Sequence, residues 1–220
     1  MSITLLTDEI FFPPPELAEE DGLLAVGGDL SQERLLKAYS MGIFPWYSDD
    51  SPILWWSPDP RLVLFPSELN VSRSLRQIIN KGIFTVTVNR AFEQVIQCCA
   101  DSSRKGQSGT WITEEMMHAY TRLHRSGYAH SVEAWHEGKL AGGFYGIMMG
   151  RIFFGESMFA KMSNASKVAF ATFVGDLQQR HFKLIDCQVT TEHLVRLGAR
   201  EIPRSTFLET LKKTLSPPSS

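Results

Sequence analysis

Cysteine is scarce in this sequence, which contains only three among its 220 residues. These three, Cys98, Cys99 and Cys187, make an odd count, and their spacing matches no metal-binding pattern. We therefore expect neither a disulfide framework nor a cysteine-bound metal. A reducing compartment such as the cytoplasm is the natural setting for such a chain.

Long apolar runs and a basic leader are also missing. No stretch approaches the roughly 20 apolar residues that a membrane-spanning helix needs. The first ten residues, MSITLLTDEI, lack the basic segment of a secretory signal and already contain two acidic residues. The composition, 43% hydrophobic and 21% charged, is that of an ordinary globular protein, and we expect a cytoplasmic one.

Phosphate-binding glycine loops are not recognisable either. GLLAVGG (22–28) is a tight apolar segment bounded by glycines. Its Gly27-Gly28 pair lacks the Lys-Ser/Thr of a P-loop and the spacing of a dinucleotide fingerprint, so the pair is interpreted as a turn. Residues 1–15 end in three prolines, which predicts an extended leader. A helix at 32–40 should follow, with Asp29 or Ser31 as its N-cap.

The net charge of −2 hides an uneven distribution. Residues 1–60 contain eleven acidic and two basic residues, a balance of −9, whereas residues 61–220 have a balance of +7. A basic body could bind a polyanion, and the acidic segment could attract a cationic partner. Alternatively, the two parts neutralise each other across an interface.

Aromatic residues and prolines are concentrated between positions 44 and 61. Three of the five tryptophans, Trp46, Trp55 and Trp56, lie within eleven residues of one another. Aromatic rings held by prolines form rigid surfaces on which a base or a ribose can stack. A small structural core is the alternative, and Trp55 and Trp56 are expected to be mostly structural.

A basic stripe lies on the short helix that SRSLRQIINK (72–81) predicts. Helical spacing places Arg73 and Arg76 on one surface, and Lys81 follows at the end. These residues could bind phosphates of a polyanion. A solvated helix face would produce the same pattern.

The second half of the chain predicts elements in an order typical of GNAT acyltransferases. Strands at 129–135, 140–148 and 152–156, separated by short turns, predict an antiparallel meander. A long helix at 164–180 then leads to a strand at 184–189 that runs parallel to the meander's last strand. In this architecture neighbouring strands splay apart and leave a slot for the acyl donor. Further strands are predicted at 62–65 and 84–89, and further helices at 91–100, 114–125, 193–197 and 202–215.

Two polar residues interrupt the short apolar strand LIDCQV (184–189). Alternation predicts that Asp186 and Gln188 point to one face, and that Ile185, Cys187 and Val189 point to the other. Burying a carboxylate and an amide without hydrogen bonds is costly. The two either satisfy each other and the backbone, or face a cleft and act on a substrate.

Several long local sequences together resemble the leucyl/phenylalanyl-tRNA–protein transferase family. They occur in the family's order over nearly the whole chain, and the departures lie outside them, in the loop before Gly109 and in the C-terminal tail. The matching segments are FPWYSDDSPILWWSPDPR (44–61), GTWIT (109–113), GGFYG (142–146), FFGESMF (153–159), NASKVA (164–169), LIDCQV (184–189) and LGAREIPR (197–204).

The resemblance implies an α/β (α+β) fold: a small acidic N-terminal domain at 1–62 and a GNAT-like domain at 63–220 with a mixed, mostly antiparallel sheet. It implies a cytoplasmic enzyme that moves Leu or Phe, and less well Met, from aminoacyl-tRNA to the α-amine of proteins beginning with Arg or Lys. The product is marked for N-degron degradation, so a protease adaptor is only an indirect partner. Neither a metal nor a bound coenzyme is implied, and no covalent enzyme intermediate.

The resemblance also assigns roles to individual residues. Asp186, Gln188 and Glu156 are implied as the catalytic group. Trp46 and Trp111 are implied to enclose the terminal adenosine. The positions implied to line the pocket for the aminoacyl side chain, or to lie beside it, are Phe144, Phe153, Met158, Phe170 and Phe173. Gly155, next to Glu156, is implied to bind substrate. Ile185 is left out of the pocket because alternation places it across the strand from Asp186, and for the same reason Cys187 is a poor nucleophile. The acidic segment around Glu19-Glu20-Asp21 is a hypothetical attractor for the acceptor's cationic N-terminus.

Two other functions fit parts of the sequence. An acyl-CoA-dependent acetyltransferase of the same fold would need a glycine-rich pyrophosphate loop before the long helix, and residues 156–164 contain no glycine. A non-enzymatic adaptor that binds tRNA or a protein N-terminus would show no turnover.

Overall fold

A computed structural model describes residues 3–102 and 112–216 of the chain. Within these ranges the chain forms eleven strands in two sheets, with seven α-helices. The strands are β1 Thr4–Leu6, β2 Leu23–Gly27, β3 Phe44–Pro45, β4 Leu54–Trp56, β5 Arg61–Leu64, β6 Thr85–Val88, β7 Ala129–His136, β8 Lys139–Met149, β9 Ile152–Ala160, β10 Leu184–Gln188 and β11 Arg200–Ile202. The helices are α1 Gln32–Ser40, α2 Arg73–Asn80, α3 Phe92–Asp101, α4 Glu114–Arg125, α5 Ala165–Gln179, α6 Glu192–Arg196 and α7 Arg204–Leu215.

The small sheet has the strand order β1-β2-β4-β3. The leader is extended as predicted, and it contains the edge strand β1. The glycine-bounded segment 22–28 contains β2, which was not predicted. β2 pairs with β1 on one side and β4 on the other, so it is a central strand. The buried guanidinium of Arg34 donates to the carbonyls of Thr7 and Glu9, which fixes the leader beside the sheet. A strand of three residues carries no sequence signal for such distant partners, so β1 could not be predicted.

The large sheet has the order β11-β5-β10-β9-β8-β7-β6. The predicted meander is confirmed, since β7, β8 and β9 pair antiparallel in sequence order. β10 pairs parallel to β9 after the crossover helix α5, also as predicted. The predicted helix at 202–215 is shorter than expected: β11 ends at Ile202, and the helix begins after Pro203, whose fixed φ suits that position.

The helices themselves are close to prediction because their capping signals are local. α1 and α4 have the predicted bounds, 32–40 and 114–125. The Ser31 and Thr113 side chains cap them by accepting hydrogen bonds from Arg34 and Met116 N–H. None of the described helices is long and apolar enough to cross a membrane.

One hydrophobic core joins the two sheets. Trp55 and Ala25 of the small sheet belong to the same buried cluster as Tyr120 of α4 and Phe154 of β9. A second cluster fills the space between the opposite face of the large sheet and α5. β5, a strand of the large sheet, spans the proposed domain boundary at residue 62, and the division into 1–62 and 63–220 stays a proposal.

Candidate active site

A cavity of about 350 Å³ opens where β9 and β10 part. The two strands pair only as far as Phe154 and Asp186. Beyond that point the backbones separate, and Gly155 on one side and Gln188 on the other line the opening. The slot expected between splayed strands is therefore present, and we call it the β9–β10 pocket.

The walls of the β9–β10 pocket are mostly apolar, and its polar groups come mainly from the two splayed strands. The apolar lining residues are Phe44, Pro45, Trp46, Phe144, Phe153, Met158, Phe170, Ile185, Val189 and Leu194. The remaining lining residues are Tyr145, Gly155, Glu156, Ser157, Cys187, Gln188, Thr191 and His193. Such a lining suits a ligand with an apolar group and one polar end.

Two local irregularities direct the polar residues into the pocket. In the β8–β9 ladder, Tyr145 lies opposite Ser157 and Gly146 lies opposite Gly155, so Glu156 is the extra residue of a β-bulge. On β10, the register shifts between Asp186 and Gln188, and Gln188 has a left-handed φ of 62°. Each irregularity turns a side chain away from its regular position.

Glu156 is the centre of a buried hydrogen-bond network. Its Oε1 accepts hydrogen bonds from the Tyr39 hydroxyl at 2.8 Å and from Gln188 Nε2 at 2.9 Å. Its Oε2 accepts one from the Tyr120 hydroxyl at 3.1 Å, and the two tyrosine hydroxyl oxygens also lie within hydrogen-bond distance of each other. The network therefore joins α1, α4, β9 and β10 at one carboxylate.

Burial shifts the acid–base properties of this network. Desolvation raises the pKa of Glu156 from 4.5 to about 7, and the nearby Asp186 charge adds to the increase. The hydrogen bonds from Tyr39, Tyr120 and Gln188 favour the carboxylate and act in the opposite direction. Burial also raises the pKa values of Tyr39 and Tyr120 well above 10, so both remain hydrogen-bond donors.

Asp186 lies beside the pocket and not in its wall. It is fully buried, outside the pocket lining, and held by Arg61 through Nε at 2.8 Å and Nη2 at 2.6 Å. The guanidinium lies over the rings of Phe44 and Phe207, 4.7 Å from each centroid. These rings belong to the same buried cluster as the tyrosines that bond Glu156, the partner of the Gln188 side chain. The predicted shared face of Asp186 and Gln188 is therefore confirmed, although only Gln188 reaches the pocket.

The contact between Asp186 and Gln188 runs through the backbone. The N–H of Gln188 donates to Asp186 Oδ1 at 3.0 Å, which holds the left-handed turn, while the Gln188 side chain reaches Glu156. Ile185 and Cys187 point to the other face, into the cluster that α5 covers, as alternation predicted. The pocket reaches this face as well, so the predicted exclusion of Ile185 from its lining was wrong. Burial raises the pKa of Cys187 far above its usual value, so its thiol stays protonated.

The predicted aromatic pocket is largely assembled. Phe144, Phe153, Met158 and Phe170 line it. Phe173 lies one layer behind, with its ring centroid 5.5 Å from that of Phe144 and 4.9 Å from that of Phe153. It supports the wall rather than forming it.

The two tryptophans expected at the terminal adenosine differ in what the structure describes. Trp46 lines the β9–β10 pocket and packs against Trp56, with centroids 5.9 Å apart. Trp111 lies outside the described residues. Trp55 is fully buried and donates its indole N–H to Gly27 O, consistent with the structural role expected of it.

The basic stripe lies on α2, away from the pocket lining. Arg73 and Arg76 are exposed on the helix, and Lys81 is exposed at its C-cap. Sequence reasoning missed Tyr39, Tyr120 and Arg61 as parts of the site. Arg61 lies 125 positions from Asp186, and no local pattern marks such a pair.

Comparison with known proteins gives a consistent family match. The family model described as leucyl/phenylalanyl-tRNA protein transferase matches residues 63–212, and the model of that family's N-terminal domain matches residues 28–59. The chain is similar to curated proteins named leucyl/phenylalanyl-tRNA–protein transferase. Identity is 59% in Syntrophobacter fumaroxidans, covering 98% of this chain and 92% of that protein, and 60% in Anaeromyxobacter sp. (strain Fw109-5), covering 100% and 93%.

Solved structures with a similar arrangement are more distant. L-PGS from Bacillus licheniformis aligns at 12% identity over 76% of this chain and 53% of that one, with a TM-score of 0.40. A GCN5-related N-acetyltransferase from Kribbella flavida aligns at 13% identity over 79% and 61%, with a TM-score of 0.37.

Proposed function

The chain belongs to the leucyl/phenylalanyl-tRNA–protein transferase family and is an aminoacyltransferase, and we propose that it joins Leu or Phe, and less well Met, to proteins beginning with Arg or Lys. The donor is the aminoacyl-tRNA, and the acceptor is the α-amine of the protein. The reaction takes place in the cytoplasm and marks the product for N-degron degradation. A protease adaptor would meet the product only after release.

The observation that carries this proposal is the β9–β10 pocket, whose apolar walls end at Glu156 and Gln188. An unbranched or γ-branched apolar side chain gains roughly 0.8 kcal/mol for each CH₂ that it buries there. A charged side chain would lose its hydration without finding a partner on these walls. Trp46, with Trp111, is proposed to enclose the terminal adenosine, and Arg73, Arg76 and Lys81 are proposed to contact tRNA phosphates.

Glu156 is suited to accept the proton that the acceptor amine must lose. A base with a pKa of about 7 works close to neutral pH, and this carboxylate uses three of its roughly four acceptor positions within the protein. The fourth can accept a hydrogen bond from the neutral acceptor amine, whose ammonium has already lost one proton to water. The amine attacks the ester carbonyl, a C–N bond forms, and Glu156 takes the proton that the attacking nitrogen releases. As the C–O bond to the ribose breaks, this proton passes from Glu156 to the leaving ribose oxygen.

Gln188 is proposed to bind the reacting carbonyl. One of its two amide N–H groups is used on Glu156, and the other can donate to the oxyanion that develops during attack. Asp186, held by Arg61, acts by fixing the Gln188 backbone and does not meet the substrate. The protonated Cys187 thiol supports direct transfer without a covalent enzyme intermediate.

The proposal is tested by incubating the protein with radiolabelled Phe-tRNA and a peptide that begins with Arg. Label should enter that peptide, and not the same peptide with an acetylated N-terminus. Acetyl-CoA is the competing donor in a parallel reaction. Acetylation of the peptide with no transfer from Phe-tRNA would favour the acyl-CoA-dependent alternative and overturn the proposal.

A further inference from the structure

A second cavity of about 380 Å³ adjoins the β9–β10 pocket. His193 of α6 lines both spaces and is therefore their common wall. On the far side of His193, the second cavity is bounded by the start of α2 and by Lys167 in the first turn of α5. The residues that line this cavity take no part in the transfer reaction proposed above.

The second cavity contains a cation that the protein does not neutralise. Arg196 and Glu192 are paired with each other at 2.9 Å on α6, so their charges largely offset. Lys167 forms no ion pair within residues 3–102 and 112–216. Lys167 is a half-buried residue. A cation in a concave site attracts an anion more strongly than one on an open surface.

His193 supplies an unused polar atom in the wall between the two spaces. Its Nε2 is buried and has no hydrogen-bond partner in the described part of the chain. Burial, and then the charges of Lys167 and Arg196, lower the pKa of His193 below its usual value of 6.5. An imidazole in cationic surroundings gains from a nearby anion, which can accept its N–H and offset the repulsion.

We propose that the second cavity binds a phosphodiester group of the tRNA acceptor end, with Lys167 as its counter-ion and His193 as a neighbouring donor. This inference rests on the proposed function, since it needs an aminoacyl ribose in the β9–β10 pocket. The 5′-phosphate belongs to the same ribose as the ester, so only one sugar separates it from the aminoacyl group. A cavity that shares a wall with the pocket has the position that this geometry requires.

The chemistry of the cavity fits one singly charged phosphodiester. Lys167 is the one charge left after Arg196 and Glu192 are paired, and Ser72 adds a hydroxyl. Leu75 and Leu197 also line the space and offer nothing to a base edge, and the Asn70 amide donates to the Arg196 carbonyl. The site should therefore contribute affinity for the RNA backbone without reading its sequence.

The test is a binding measurement that does not need turnover. Two stable donors are compared by calorimetry: phenylalanine joined by an amide to 3′-amino-3′-deoxyadenosine, and the same compound with a 5′-methylphosphate. We expect wild type to bind the phosphodiester about tenfold more tightly, which corresponds to about 1.4 kcal/mol. Lys167→Gln should reduce this advantage to less than about twofold, with unchanged affinity for the phosphate-free compound, and Lys167→Arg should retain it.

Controls separate the site from general charge effects. Lys139→Ala removes an exposed lysine that lines neither space and should leave the tenfold advantage intact. Lys167→Ala serves as a second variant if Lys167→Gln melts at a lower temperature than wild type. Inorganic phosphate should weaken binding of the phosphodiester compound only.

Three results would overturn the proposal. They are equal affinity of wild type for both compounds, an equal loss for both in Lys167→Gln, and competition by inorganic phosphate with no advantage of the phosphodiester. The proposed function fails separately, if wild type binds both compounds yet transfers no label from Phe-tRNA.

Discussion

Glu156 combines full burial with a proton affinity close to neutrality, and this combination has a measurable effect on stability. Its folded pKa of about 7 exceeds the usual 4.5, so between these values the folded chain retains a proton that the unfolded chain releases. The free energy of unfolding should therefore fall as pH rises from 4.5 to 7.

Replacing Glu156 with Gln keeps the shape of the side chain and removes its charge. We expect Glu156→Gln to be more stable than wild type by about 1–3 kcal/mol at pH 8, with the difference disappearing near pH 5. Thermal unfolding at both pH values measures this. If the stability difference between the variant and wild type did not change with pH, the pKa of Glu156 would not be raised by burial.

Substituting Arg61 tests whether its ion pair with Asp186 stabilises the fold. Arg61→Met would leave a buried carboxylate without its counter-ion and should cost about 3–5 kcal/mol in urea unfolding. Adding Asp186→Leu should recover much of this loss, because no charge is then stranded. Transfer activity should stay low in the double variant, since Gln188 N–H has lost its acceptor. Equal stability of Arg61→Met and wild type would contradict the assignment.

Some of the site residues could be predicted from the sequence, but the hydrogen bonds between them could not. Glu156 and Gln188 were predicted from motifs, and the structure brings their side chains within hydrogen-bond distance. Tyr39 lies in the helix predicted at 32–40, but nothing local marks it as part of the site. Its contact with Glu156 spans 117 positions, so it depends on how α1 packs against the large sheet.

At the level of the elements, β9, β10 and α5 determine the shape of the pocket. Helix bounds were predictable because caps and the 3.6-residue period are local signals. The faces of Asp186 and Gln188 were predictable too, because alternation holds along β10 up to the bulge. The bulge itself was not, since the left-handed φ of Gln188 depends on the Asp186 carboxylate and its partner Arg61. Alternation fails only after it, where Val189 packs against the cluster that it was predicted to face away from.

Gly142, which faces α5, and Gly175, within α5, are a matched pair of positions for testing how closely this helix packs on β8. A Cβ on Gly142 of β8 would lie 2.7 Å from the Ala165 Cβ and 2.9 Å from Ser166 N, so α5 would have to move. Gly142→Ala should cost about 1–3 kcal/mol of stability. Gly175→Ala within α5 meets nothing within 4 Å and should add about 0.5–1 kcal/mol. Urea unfolding distinguishes them, and similar effects of both would contradict the close packing of α5 on β8.

The whole molecule places an acidic small sheet beside a basic body. β3, at the edge of the small sheet, lines the pocket through Phe44 and Pro45, and Trp46 follows it. The acidic N-terminal segment therefore contributes directly to the wall of the pocket. A cationic acceptor approaching the pocket would meet this field. The effect should be long-range and reduced by salt.

Charge reversal at the exposed Glu20 tests this attraction. Glu20→Lys should raise the KM of the acceptor peptide about twofold at low salt and leave the KM of the aminoacyl-tRNA no higher. The difference should vanish in 0.5 M salt. An unchanged acceptor KM at low salt would show that the acidic segment does not attract the acceptor.

The most direct test of the proposed function is the pH profile of kcat/KM for transfer of Phe from Phe-tRNA to an Arg-peptide, measured for wild type and Glu156→Gln. The wild-type rate should rise through about pH 7 as Glu156 ionises, with a second rise near pH 8 from the peptide α-amine. Glu156→Gln should be slower by about 10²–10⁴-fold and should lack the rise near pH 7 while keeping the one near pH 8. A variant that transfers Phe at the wild-type rate with the wild-type profile would contradict the account.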